Sequence, residues 1–189
     1  MKNKGLIILL SVIGVLILLI SMVIGSYNGL VEKREKVETA SAAISTQLQR
    51  RADLIPNFVA TVKGYSDYEK ETYTAVTEAR SAVAKAATPA EQAAAAEQLD
   101  RAISVWVNAV TEAYPDLKAN EQYRALTDEL AGTENRIATA RRDYNESAKE
   151  YNISIKKFPR NIIAGIFGFD SYEYFEADSS AQDVPQVSF

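Results

Sequence analysis

From Gly5 to Gly25 the chain reads GLIILLSVIGVLILLISMVIG, an apolar run with no charge and only two serines. At ~1.5 Å per helical residue it is long enough to cross a hydrocarbon core of ~30 Å. The side chains predicted to meet lipid are Leu6, Ile7, Ile8, Leu9, Leu10, Val12, Ile13, Val15, Leu16, Ile17, Leu18, Leu19, Ile20, Met22, Val23 and Ile24. Lys2 and Lys4 ahead of the run, and Val23-Ile24-Gly25 at its end, also suit a cleaved secretory signal. A signal's apolar stretch is only ~7 to 15 residues, so the length favours an uncleaved anchor. Orientation is undecided by charge, because Lys2 and Lys4 on one side oppose Lys33, Arg34 and Lys36 on the other.

After the anchor the apolar positions recur at helical spacing. Leu126, Leu130, Thr133, Ile137, Ala140, Tyr144, Ala148, Tyr151, Ile155 and Phe158 step by threes and fours, which predicts one helix over about 120–158, stopped at Pro159. At ~1.5 Å per residue such a helix runs about 60 Å and needs an equally long partner. Val37, Ser41, Ile44, Leu48, Arg51, Ile55, Val59 and Val62 supply one over about 31–63, in a phase that survives Pro56, so a proline-kinked continuous helix ending at Gly64 is expected. Two shorter helices lie between. One, over about 67–87, is capped by Ser66 or Asp67; the other, over about 89–113, starts from Thr88 with Pro89 in its first turn and is broken by Tyr114-Pro115-Asp116.

Short connections make successive helices antiparallel. The expectation is therefore an all-α protein in which residues 1–4 form a short basic start and 5–25 the transmembrane anchor. Residues 26–169 then form a long antiparallel four-helix bundle, its first and last helices extending as a stalk toward the bilayer. That return gives meaning to the apolar stretch 162–169. Arg160, Ile162, Ile163, Ile166, Phe167 and Phe169 are candidate membrane-interface residues, with packing against the stalk as the alternative. From Asp170 onward acidic residues appear with no Lys or Arg, so 170–189 is expected to be a flexible, disordered acidic tail. Its last residues, Gln186 to Phe189, either fray or offer a terminus for a partner to capture.

The net charge of -4 disfavours nucleic acid as a partner. The absence of histidine and cysteine removes the usual ligands of zinc and di-iron helical sites, along with the base and thiol of nucleophilic catalysis. No cofactor is expected, and Glu112 with Asp116 is explained by helix termination. The alanine-rich stretch 82–96 fits a helical hairpin with close helix approach. Ten tyrosines are present, and Tyr144-Asn145 and Tyr151-Asn152 lie one heptad apart; packing in the seam accounts for them.

One charged group is placed inward by the helical phase. Arg50, Arg51 and Asp53 sit opposite Glu134, Arg136, Arg141 and Arg142 of the last helix if the two helices run antiparallel. Such a network would fix the register of the long pair. The alternative is a basic notch for an acidic partner, the chain's own tail included.

Arg50-Arg51 with Asp53-Leu54-Ile55-Pro56-Asn57, Val62-Lys63-Gly64-Tyr65, Tyr114-Pro115-Asp116-Leu117-Lys118-Ala119-Asn120, Thr133-Glu134-Asn135-Arg136-Ile137, Ala140-Arg141-Arg142-Asp143-Tyr144-Asn145, Tyr151-Asn152, Phe158-Pro159, Gly168-Phe169 and Tyr174-Phe175-Glu176 occur in this order. As a set they resemble the LemA family over nearly the whole chain after Tyr27. The resemblance implies a bacterial inner- or plasma-membrane protein with an N-terminal anchor and an antiparallel helical domain. It transfers no catalytic residue. A magnetosome-membrane branch of the family suggests a part in membrane organisation by analogy. Ser41 stands where relatives often carry Trp, and Ser45 where they often carry Asp.

These readings lead to a non-enzymatic, membrane-anchored helical scaffold for protein partners, in envelope stress or membrane organisation. The alternative is a self-assembling, membrane-remodelling protein with an interfacial wedge at 162–169. A subunit of a membrane enzyme is the third class. Membrane lipid, unidentified protein partners and further copies of the chain are the partners these classes imply.

Overall fold

A computed structural model describes residues 2–63 and 70–176, with side chains over 4–62 and 74–176. The predicted stop at Gly64, the caps at Ser66 or Asp67 and the tail beyond 176 lie outside the described residues. Every regular element among them is helical: α1 over Lys2–Lys63, α2 over Lys70–Lys85, α3 over Pro89–Ala113, a 3-10 turn over Pro115–Ala119, α4 over Glu121–Lys156 and α5 over Arg160–Phe167. The anchor and the helix after it, expected as separate elements, are continuous through residues 26–30, and Pro56 lies inside α1. Gly29 inside a helix costs only ~1 kcal/mol against Ala and does not end it.

The chain divides into two compact units: Met1–Thr39 with Glu146–Tyr172, and Ala40–Asn145 with Glu173–Phe189. In the second unit α1 contributes Ile44, Leu48, Ala52, Ile55, Phe58, Val59 and Val62 to a buried core. These are the three- and four-residue steps of one helix face. Phe58, fully buried, packs edge-on against Trp106 of α3 at 5.2 Å and lies 5.3 Å from Tyr123 of α4. α2 packs on α3. Contacts advance in step along α1 and α3, Ser45 with Gln92 and then Phe58 with Trp106, so these two run parallel. They run opposite along α1 and α4, where Arg50 meets Glu129 and Phe58 meets Tyr123.

α3 begins as its sequence dictates. The Thr88 hydroxyl accepts from the Glu91 N–H at 3.2 Å, the Glu91 carboxylate accepts from the Thr88 N–H at 3.0 Å, and Pro89 occupies the first turn. The two donors from Ala87 and Thr88 hold the Glu91 carboxyl below its ordinary pKa.

In the first unit Leu30 and Val37 of α1 are buried with Ala148, Tyr151 and Ile155 of α4. Lys33 pairs with Glu150 at 3.0 Å. Phe158, read as the last seam residue, is instead 81% exposed, because α4 ends at Lys156 and the helical phase that would carry it inward is lost. The Phe158–Pro159 peptide is cis. The expected apolar interface stretch 162–169 falls largely within α5, Arg160–Phe167, which is closed by Gly168 at φ 68°. That left-handed conformation disfavours any residue bearing a Cβ, which accounts for glycine there.

Residues 170–176 are not the start of a disordered tail. They form an irregular segment in which Phe175 is buried and two side-chain amides each hold the backbone at two points. In the first unit Asn152 donates to the Tyr172 carbonyl at 2.8 Å and accepts from its N–H at 2.9 Å. In the second, Asn145 does the same to Phe175, at 2.8 and 2.9 Å. Composition alone predicts disorder because it does not count amide pairs of this kind. Asn152→Ala or Asn145→Ala leaves a backbone N–H and C=O without that partner, at about 1 to 3 kcal/mol. Limited chymotrypsin digestion is expected to cut after Tyr172 or Phe175 about 5- to 150-fold faster in either variant. Equal rates would show that the amides do not hold the segment.

Candidate functional site

The longest uncovered apolar surface is built on the first unit. α1 is the one helix among the described residues long and apolar enough to cross a membrane, by length and composition, and its apolar window is entirely unburied. Leu6 to Ile24 therefore have no protein core to fill. Where this run ends, the chain returns to it. Tyr27 packs edge-on against Phe167 at 4.9 Å and Phe169 at 5.6 Å. The Arg160 guanidinium lies over Gly29, 3.6 Å from where a Cβ would stand, and donates to the Ser154 hydroxyl at 2.9 Å.

The candidate interface residues divide into two groups. Ile163 and Phe169 are buried and serve packing, while Ile162, Ile166 and Phe167 are exposed. Arg160 is half-buried. Packing is thus observed for Ile163 within α5 and for Phe169 just beyond its end, while Ile162 and Ile166 of the same helix are uncovered. Further up, Tyr172 packs on Tyr151 at 5.3 Å and donates its hydroxyl to Glu38 at 3.1 Å; Glu38 also accepts from Arg34 at 3.0 Å.

The polar cluster belongs to the second unit. Arg51 is 6% exposed and bridges two helices, pairing with Asp100 of α3 and Glu134 of α4. Arg50 pairs with Glu129 at 2.7 Å, and Arg136 pairs with the same carboxylate at 2.7 Å. Asp53 accepts from Gln49 at 2.8 Å and lies 3.9 Å from Arg80. Arg141 stands 5.6 Å over the Phe175 ring. Arg142 is exposed. Of the seven residues expected to form one network, the structure pairs only Arg51 and Glu134 directly with each other.

Asp100 and Glu129 were missed by sequence reasoning. Asp100 follows the core residue Leu99, and Glu129 precedes the core residue Leu130. A carboxylate beside a core position was the available signal for a charge reaching inward. Burial is the largest influence on Asp100 and raises its pKa; Arg51 opposes it and Glu134 adds to it, leaving the carboxyl at about 6. Ser45 accepts from the buried Gln92 at 3.1 Å.

The cluster opens onto a cavity of about 890 Å³, to which α3 contributes Asp100 and the alanines of its first turns, α4 contributes Glu134 and Arg141, and residues 173–176 add one side. Among the described residues no group of three His, Cys, Asp or Glu side chains is arranged to hold a metal.

The LemA family model matches residues 40–189. Among curated proteins, a magnetosome protein MamQ of Paramagnetospirillum magneticum is 27% identical over an alignment covering 98% of this chain and 78% of that protein. Protein LemA of Metamycoplasma hominis is 27% identical, covering 82% of this chain and 70% of its own length. MamQ of Magnetospirillum gryphiswaldense is 24% identical over 92% of this chain and 72% of that protein.

Proposed function

The chain belongs to the LemA family, and on that footing we propose that it acts without catalysis, as a membrane-anchored antiparallel helical bundle that presents rigid helix faces to protein partners. The observation that carries this function is the return of the chain to the end of its own anchor, where Tyr27 of α1 meets Phe167 and Phe169. Aromatic pairs at 4.5–7 Å contribute about 0.5 to 1.5 kcal/mol beyond their burial. The contact fixes the helices near the membrane to the helix that crosses it, as a device for placing a surface at a set position requires. Arg51 supports the same function by tying α1 to α3 and α4, which sets helix alignment in the way of a polar residue in a helical seam. A bacterial cell envelope is the expected setting, and envelope stress or membrane organisation the expected process.

Val105, 60% exposed on α3, offers an apolar position for a partner. Photoreactive residues at Val105 and Ala90, activated in intact cells, are expected to capture the same one or few proteins reproducibly. Adducts to lipid alone, or a capture pattern no different from an unrelated anchored helical protein, would overturn the scaffold function.

The exposed Ile162, Ile166 and Phe167 favour a second function, membrane remodelling by a self-associating protein with α5 as a wedge. Deformation of vesicles by the purified full chain, lost in Ile162→Ser/Ile166→Ser/Phe167→Ser, would select it over the scaffold.

A further inference from the structure

Residues 151–169 contain Lys156, Lys157 and Arg160 and no carboxylate, in a chain whose net charge is -4. Both lysines are exposed, and so is Phe158 beside them. α5 follows at once. It buries Ile163 and Ala164, leaves Ile162 and Ile166 uncovered, and leaves Phe167 half open beside Tyr27. Cations flanking an uncovered aromatic and aliphatic face are what an anionic lipid surface binds, by charge at the headgroups and by apolar burial just beneath them.

Depth is set by α1. Its uncharged run ends at Gly25. At ~1.5 Å per residue, Tyr27 stands ~3 Å and Gly29 ~6 Å beyond that end. The polar layer on each side of a hydrocarbon core is roughly 5 to 7 Å thick. Tyr27 touches Phe167 and Phe169, and Gly29 lies beside Arg160, so both ends of α5 stand at the level of this layer.

We propose that Lys156, Lys157 and Arg160, with the uncovered face of α5, form a docking surface for anionic phospholipid, α5 lying in the headgroup layer of the leaflet from which α1 emerges. This rests on α1 being a retained anchor, and it adds a second attachment of defined lipid preference. One nitrogen of Arg160 is engaged by Ser154, so the lysines supply the mobile part of the charge.

The chain has no cysteine, so single-cysteine variants of the full chain can each carry one nitroxide. Labels at Leu18, Ile166 and Ser171 are compared in vesicles of phosphatidylcholine alone and with phosphatidylglycerol added, by collision with oxygen and with a water-soluble nickel complex. The expected result is an oxygen-to-nickel ratio at Ile166 that approaches that at Leu18, exceeds that at Ser171 and rises with phosphatidylglycerol. Lys156→Gln/Lys157→Gln abolishes the rise while leaving the Arg160–Ser154 bond in place. A water-like Ile166 beside a lipid-like Leu18 overturns the docking surface and leaves the anchor standing. A water-like Leu18 overturns the anchor itself. A lipid-like Ile166 indifferent to phosphatidylglycerol overturns the anionic preference and, with it, the proposal.

Discussion

Phe58→Ala is expected to lower the stability of the second unit by about 3 to 5 kcal/mol, the range for truncating a large aromatic in a packed core. Phe58 has no exposed surface, and its ring is held between Trp106 and Tyr123. Ala there removes the ring from three helices at once, since Phe58 is on α1, Trp106 on α3 and Tyr123 on α4. Neither remaining aromatic can close the gap without leaving its own packing. Trp106 is the only tryptophan, so its fluorescence during urea unfolding of the detergent-solubilised full chain reports this unit specifically. A midpoint within about 0.5 kcal/mol of wild type, the ordinary effect of a surface change, would show that this core does not limit stability.

Arg51→Ala is expected to cost about 3 kcal/mol at neutral pH. Breaking a buried ion pair commonly costs about 3 to 5 kcal/mol. The low end applies because Asp100 and Glu134 have 33% and 43% of their side-chain surface exposed and can turn toward water. The loss has a pH signature. Asp100 holds its proton more tightly in the folded chain than in the unfolded one, its pKa raised from 3.8 to about 6 chiefly by burial. Its contribution to stability is therefore complete below about pH 4 and disappears as pH rises through about 6. Wild type should gain about 1 kcal/mol from this group between pH 7 and pH 5, after allowing for solvent access. Asp100→Asn should lose that gain. Arg51→Ala should show a larger one, because the cation that opposes protonation is gone. Trp106 unfolding midpoints at the two pH values test the order; a gain in Asp100→Asn equal to wild type would remove Asp100 as its source.

The three- and four-residue steps of α1 and α4 made much of the core legible before any coordinates. Ile44, Leu48, Ile55 and Val62, with Leu130, Ile137, Tyr144 and Tyr151, are buried as their spacing requires. Arg51 was legible for the same reason: in that phase a charge must either reach inward or break the face. Of its two partners, Glu134 was among the residues expected opposite it on the last helix, whereas Asp100 of α3 was not, because an inward charge fixes no sequence distance to the carboxylate that meets it. The segment 170–176 was misread because a hydrogen bond from an amide to backbone leaves no trace in the composition of the backbone it holds. A trace did exist on the other side. Asn145 and Asn152 are seven residues apart, about 10.5 Å along a helix, while Tyr172 and Phe175 are three apart, about 10 Å in extended chain. An extended segment can therefore meet both asparagines in turn, which the repeated Tyr-Asn pair signals once the extended partner is considered. α5 was visible only as apolar content, which does not say that Ile163 and Ala164 are covered while Ile162 and Ile166 are open.

If α1 is the proposed anchor, its unbroken course through residues 26–30 leaves no break in the helix between its apolar turns and Lys33, which pairs with Glu150. A helix answers a mismatch between its apolar length and the bilayer by leaning over. In this chain a lean cannot be absorbed at the water boundary, as it would be in a tethered domain on a loose linker. On the proposed anchoring, thinning or thickening of the membrane is expected to reach the Lys33–Glu150 pair, as a mast carries the roll of a hull to its rigging.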